Sequence, residues 1–351
     1  MENAATLQAQ RESGKAALRF GGPIWTLILL APFIAEVLGG STRLSFLFVY
    51  LPEVMVWGVG ALLCREMVRR WQAGATSLLL LGIGLSIAEE FVIQQTSLAP
   101  LPFPGSNASY GRLGGVNWVY FLFMLGFESV WVVVVPVQLT ELAFSSSRGR
   151  PWLRIRGIVI SCLVLVVGSF LAWYGWVKQA LPRMHAAPYH PPLLTIALGG
   201  VSIVLLGMTA YAFRGVGGGA PKPGKVAMPP WLVLVTTFVF SAGWYCLLTL
   251  IFIPHPPVTA MEAIVAGVVW ALAAYTIVRR FSSAAGWGDG HRWAAAVGAV
   301  LATMGVPYLA IGSWLRMDVI AIIVFDCSAI AGALLLGNRI RSRMLARTTE
   351  P

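Results

Sequence analysis

Apolar residues run in long blocks along this chain, and polar residues fall in short intervals between them. Ten blocks stand out, over roughly residues 20–39, 45–64, 76–98, 116–141, 157–177, 192–213, 230–253, 258–278, 293–313 and 317–337. Each is roughly 20 residues long, enough for a helix to cross a hydrocarbon layer of about 30 Å. Pro and Gly punctuate the connections, as in Leu101-Pro102-Phe103-Pro104-Gly105 and Gly217-Gly218-Gly219-Ala220-Pro221. No interval is long enough to fold as a soluble domain of its own. The pattern predicts an all-α polytopic bundle of ten spans, one integral membrane domain over residues 20–338. A polar segment, 1–19, precedes it and a basic tail, 339–351, follows it.

Composition agrees with this reading. Of the 351 residues 58% are hydrophobic and 11% charged, against roughly 25% charged in a soluble domain. A net charge of +11 invites nucleic acid as a partner until the charges are located. With the N-terminus placed in the cytoplasm, 20 of the 25 basic residues fall in inside segments. Only Arg43, Arg112, Lys178, Arg183 and Arg316 fall outside. That asymmetry is the positive-inside pattern. It predicts both termini in the cytoplasm and a multi-pass protein of the cell (cytoplasmic, inner) membrane, with lipid and not nucleic acid as its partner. The polar N-terminus, without a short apolar core and cleavage site, predicts no cleavable signal peptide. Trp118, Trp152, Trp176, Trp231, Trp293 and Trp314 lie near predicted span ends and are expected as interfacial anchors.

Cys64, Cys162, Cys246 and Cys327 lie inside apolar blocks without a C-x-x-C pair, and are expected as reduced, buried packing thiols. His185, His190, His255 and His291 all lie in loops. The Pro-rich settings of the first three suit exposed turns better than a metal site. Neither a metal nor a cofactor is expected.

The informative residues are the acids. Glu36, Glu53, Glu89, Glu90, Glu128, Glu262 and Asp326 lie within or close to apolar blocks, and no Lys or Arg lies deep in any block to neutralise them. An ionisable side chain at a span centre costs about 2.5–3.5 kcal/mol on insertion scales and faces a protein interior or a wet cavity. Glu89 and Glu90 stand adjacent in the third block; Glu128 lies at a similar depth in the fourth, at about 1.5 Å per residue. A short connection makes these two blocks neighbours. Ser86, Glu90 and Gln94 are spaced to form one helix stripe, whereas Glu89 lies about 100° round from Glu90 and is free to meet a different neighbour. The sequence thus nominates Glu89, Glu90, Gln94 and Glu128, with Asn117 at the mouth, around a hydrated pocket within the bilayer. Glu36 and Glu53 lie nearer the outer ends of their blocks, where snorkelling to water would satisfy them.

Glu89-Glu90-Phe91-Val92-Ile93-Gln94 resembles the E-E-x-x-x-R motif of the CAAX protease and bacteriocin-processing superfamily of glutamate-dependent intramembrane proteases. Met124-Leu125-Gly126-Phe127-Glu128 falls where that family has F-x-x-x-H. Gln94 replaces the family's arginine and Glu128 its histidine, and a later H-x-x-x-N motif is missing. Over residues 76–141 the resemblance implies a shared fold, with Glu89 as the water-activating base, Glu90 and Glu128 as its partners and Gln94 as a polar support. The departures imply a divergent, catalytically degenerate relative acting on a membrane-embedded peptide. Arg65-Glu66, Arg69-Arg70, Glu89-Glu90 and Asn117-Trp118 also resemble the layout of a group of bacterial multi-span proteins to which no activity attaches. Two other readings use the same acids differently: a proton- or cation-coupled transporter of a small molecule, and a non-catalytic protein that binds lipid or a partner.

Overall fold

A computed structural model describes residues 21–99, 107, 109–186, 189–216 and 222–349. The segment 1–19, the 101–105 connection and the 217–221 run lie outside them. Ten main helices follow one another among the described residues. They are α1 (Gly22–Val37), α2 (Leu44–Arg70), α3 (Ala75–Ile93), α4 (Trp118–Ala143), α5 (Ile155–Arg183), α6 (Leu193–Gly215), α7 (Pro230–Ile251), α8 (Ala260–Ser282), α9 (Asp289–Gly305) and α10 (Arg316–Thr349). Strand is confined to two short pairs, Arg112–Leu113 with Val116–Asn117 and Lys222–Val226 with Ala284–Ala285. The protein is an all-α helical membrane bundle.

Eight of these helices are long and apolar enough to cross a membrane by themselves, and α1 is a shorter apolar helix. The ninth predicted block ran to residue 313, but α9 is 17 residues long and gives way to two 3-10 turns, Pro307–Leu309 and Ile311–Ser313. Pro307 has no N–H to extend the α ladder. At the other end α10 continues through Thr349, so most of the predicted tail is helix.

The helices sort into an inner and an outer set. In α3, 67% of the apolar window is buried, in α4 50% and in α2 44%; in α5, α6, α8 and α10 the share is 17% or less. Wide apolar surfaces such as that of α6, with Leu193, Val204 and Met208 exposed, are what lipid would cover. Four of the helices that carry the predicted acids, α1 to α4, pack on one another at the centre.

Lipid tails are as apolar as leucine, so helices in a membrane associate through close approach and interhelical hydrogen bonds. Both devices recur here. A Cβ on Gly82 of α3 would stand 3.0 Å from the Ser129 Cα of α4, and one on Gly126 of α4 would stand 2.3 Å from the Trp244 ring of α7. Indole N–H groups then bridge to backbone carbonyls on the facing helix. Trp244 donates to Phe123 at 3.0 Å, Trp131 to Ala299 at 3.0 Å, Trp270 to Phe240 at 2.8 Å and Trp293 to Ala333 at 2.9 Å. Trp293, expected as an interfacial anchor, is thus tied into the protein, whereas Trp231 stays 66% exposed.

Loop contacts gather at two ends. At one, Arg65 is fully buried and spends its guanidinium on Glu66, Glu141 and the carbonyls of Ser147, Arg148 and Arg150, while stacking 3.6 Å over the Trp152 ring. Glu66 in turn accepts from the Trp152 and Leu153 N–H groups, and Arg148 makes a two-bond pair with Asp289 at 2.8 Å. That pairing holds the Arg148 guanidinium above its usual pKa. At the other end, Asp318 accepts from the N–H and hydroxyl of Ser45 at 2.9 and 2.8 Å. The Asn107 N–H reaches the Ile251 carbonyl at 2.7 Å.

Candidate functional site

Glu36, Glu53, Glu89, Glu90 and Glu128 each sit in or beside a π turn. In α3 the regular helix runs to Ala88 and is followed by a π turn over Glu89–Ile93. The Gln94 N–H closes it on the Glu89 carbonyl at 3.0 Å. In α4 a π turn begins at Glu128 and runs to Val134. Glu36 lies in the π turn Phe33–Val37 of α1, and Glu53 immediately precedes the π turn Val54–Gly58 of α2. A π turn widens the helix by one residue and re-aims the side chains on it, and such turns are frequent at functional sites.

Beyond its π turn, α3 ends at Gln95, whose φ of 63° is left-handed, and the chain folds back over the turn it has just left. This return brings Thr96 and Ser97 onto Glu90. The Glu90 carboxylate accepts from the Thr96 hydroxyl at 2.7 Å, the Ser97 N–H at 2.8 Å and the Ser97 hydroxyl at 2.5 Å. The Ser97 carbonyl then accepts from the Asn117 N–H at 2.9 Å, which ties the end of α3 to the start of α4. Asn117 caps α4 by accepting from the Tyr120 N–H at 3.0 Å. A hairpin turn at Gly114 and Gly115, with φ of 60° and 84°, delivers the chain to that cap.

The result is a cluster. One carboxylate oxygen from each of Glu89, Glu90 and Glu128 lies within 4.8 Å of the others. Glu89 is 1% exposed, and Glu90 and Glu128 are not exposed at all. Glu90 is well supplied with donors, but both oxygens of Glu89 and both of Glu128 have no donor. Glu89 lies within hydrogen-bond reach of the carboxyls of Glu90 and Glu128. Bonds between carboxyls exist only while one of them holds a proton. Ser86 stands against Glu128 and donates to the Met124 carbonyl at 3.1 Å. Tyr120 and Glu36 lie within electrostatic reach of the cluster. No Arg, Lys or His is among the groups that act on the three acids.

A second pair of acids adjoins the first group. Ser41 donates to Glu36 at 2.5 Å, and Thr42 donates to Glu53. Glu53 lies within electrostatic reach of Glu36 and Tyr50 and is 7% exposed. Instead of snorkelling outward, Glu53 is turned into the bundle by the Ser41-Thr42 turn.

Of the residues singled out from the sequence, Glu89, Glu90 and Glu128 come together. Gln94 is half-buried, and its side chain has no hydrogen-bond partner among the described residues. The stripe of Ser86, Glu90 and Gln94 assumes a regular helix, and the π turn breaks that register. Gln95 is the one engaged, accepting from the Tyr189 hydroxyl at 2.5 Å. Asn117 is fully buried, so it caps a helix inside the protein and does not line a mouth. Glu262 takes no part and forms a capping box with Thr259 at the start of α8; Asp326 accepts from Tyr308 at 2.8 Å. Thr96, Ser97 and Tyr120 complete the surroundings of the site. The turn after α3 brings back the Thr96 and Ser97 hydroxyls, and the first turn of α4 supplies Tyr120.

Three facing carboxylates without a counter-charge cannot all be ionised in a buried site. They hold protons, a cation, or both. Among the described residues they are also the one group of His, Cys, Asp or Glu side chains placed to hold a metal ion. The Thr96 and Ser97 hydroxyls serve Glu90, whereas the buried Asn117 Nδ2, a donor, has no partner among the described residues. Comparison of the chain with models of known families, with curated proteins and with solved structures finds no match to any of them.

Proposed function

We propose that the protein passes protons across the membrane, with Glu89, Glu90 and Glu128 taking them up and releasing them. The observation that supports this most directly is the set of four buried oxygens on Glu89 and Glu128 without a donor, and with no cationic side chain among the described residues acting on them. Such a site is stable only when loaded, and its acids share protons as a group with macroscopic titration steps of their own. Intramembrane carboxylates in carriers have this role. Glu36 and Glu53 extend the acidic series toward the Ser41-Thr42 turn, where Ser41 is exposed, and so offer protons a way to the surface.

Proteoliposomes with a trapped pH dye test the proposal. A potential, negative inside, is expected to acidify vesicles holding the full-length protein faster than empty vesicles. Glu89→Gln and Glu128→Gln should fall to the empty-vesicle rate while remaining monodisperse on size exclusion. Equal rates for the wild type and both variants would overturn the reading.

Kinship with the glutamate intramembrane proteases is the second reading, and one observation favours it. Glu128, at the position of that family's histidine, meets Glu89, at the position of its first glutamate. Peptide hydrolysis asks in addition for an oxyanion donor, and under this reading the unpartnered Asn117 Nδ2 and the Tyr120 hydroxyl are the groups to supply it. Cleavage of a membrane-embedded peptide that disappears in Glu89→Gln would favour it over transport.

A further inference from the structure

We infer that the Glu89–Glu90–Glu128 cluster binds a hard divalent cation of the Mn2+, Mg2+ or Ca2+ class. The inference rests on the reading of these acids as the working site, and it names a second occupant for it.

Geometry comes first. Oxygen ligands bind such ions at about 2.0–2.6 Å, so two ligands on opposite sides of one ion stand about 4–5 Å apart. The three carboxylates already present one oxygen each within 4.8 Å of the others. The second observation is independent of that convergence. Thr96 and Ser97 supply every donor to Glu90, yet Glu89 and Glu128, 1% and 0% exposed, receive none on any of their four oxygens. Orphaned buried acceptors are costly, and a cation held by one oxygen of each carboxylate offsets that cost. The donor set is oxygen only, which suits Mg2+, Ca2+ and Mn2+ and disfavours metals that prefer nitrogen or sulfur.

Charge agrees with geometry, since a divalent cation offsets carboxylate charge that would otherwise be buried without a partner. The groups that face the cluster are Ser86 from α3 and Tyr120 from α4, with Glu36 from α1 behind them. Beyond Glu36 stand Glu53 of α2 and Tyr245 of α7. None is basic, so no resident charge competes with the metal.

Electron paramagnetic resonance of Mn2+ added to the purified full-length protein in detergent tests the inference. One saturable site per chain is expected. Mg2+ and Ca2+ should displace the Mn2+. Glu89→Gln and Glu128→Gln should abolish the site, Glu128→Asp should weaken it, and Glu262→Gln should leave it intact. No saturable binding to the wild type, or binding that survives both glutamine variants, would overturn the inference. Proton flux in vesicles without Mn2+ binding would sink the cation and leave the proton reading standing. Mn2+ binding without flux would do the reverse.

Discussion

Arg65 shows what a single buried charge does in this protein. Its guanidinium is fully enclosed, with two carboxylates, three carbonyls and an indole face around it. Removing one partner of a buried ion pair costs about 3–5 kcal/mol, because the others are left uncompensated. Arg65→Ala is therefore expected to lower the thermal unfolding temperature in detergent sharply. Arg65→Lys should rescue it only in part, since an ammonium brings three donors and no planar fork. The acids of the candidate site behave in the opposite way, lacking the counter-charges that Arg65 enjoys. Glu89, Glu90 and Glu128 were legible in the sequence because a carboxylate in an apolar block is expensive wherever it falls. Gln94 was nominated by regular-helix arithmetic that a π turn does not obey. Tyr120 was hidden as one aromatic among many at the start of α4, and Thr96 and Ser97 looked like the polar end of a span.

At the scale of elements, the contact between α3 and α4 assembles the site. Gly82 makes it possible, since a Cβ there meets the Ser129 backbone at 3.0 Å. Gly82→Val is expected to hold the two helices apart, costing about 1–3 kcal/mol of stability as an overpacked contact. It should weaken Mn2+ binding more than Gly305→Val, a position with open space around it. Trp244→Phe removes an indole N–H that bridges α7 to α4. A loss of about 0.6 kcal/mol, typical of interhelical bonds in a bilayer, should appear in unfolding by denaturing detergent. Hydropathy located the helices well because long apolar blocks leave little choice of structure. It could not show the π turns, which arise from how neighbouring helices pack and leave no mark in composition. Pro307, by contrast, was a readable stop for α9.

At the scale of the whole molecule, acids occupy the centre and the outer helices wear apolar surface. Of the four cysteines expected to be buried only Cys64 is; Cys162, Cys246 and Cys327 sit exposed on α5, α7 and α10, because an apolar block in a membrane bundle also supplies the faces that lipid would cover. In intact membranes they are expected to react with a membrane-permeant maleimide and to resist a charged impermeant one; brisk labelling by the impermeant reagent would place those helices against water. The arrangement of the acids along the bundle has an electrical consequence. Glu89 lies near the end of α3 and Glu53 near the start of α2, on the side of the Ser41-Thr42 turn. A charge arriving from that side traverses only part of the membrane field, whose whole drop is worth about 2.3 kcal/mol per charge per 100 mV. Occupancy of the site would then follow voltage with a fraction of a full gating charge, and that fraction would measure how deep in the bilayer the carboxylates lie.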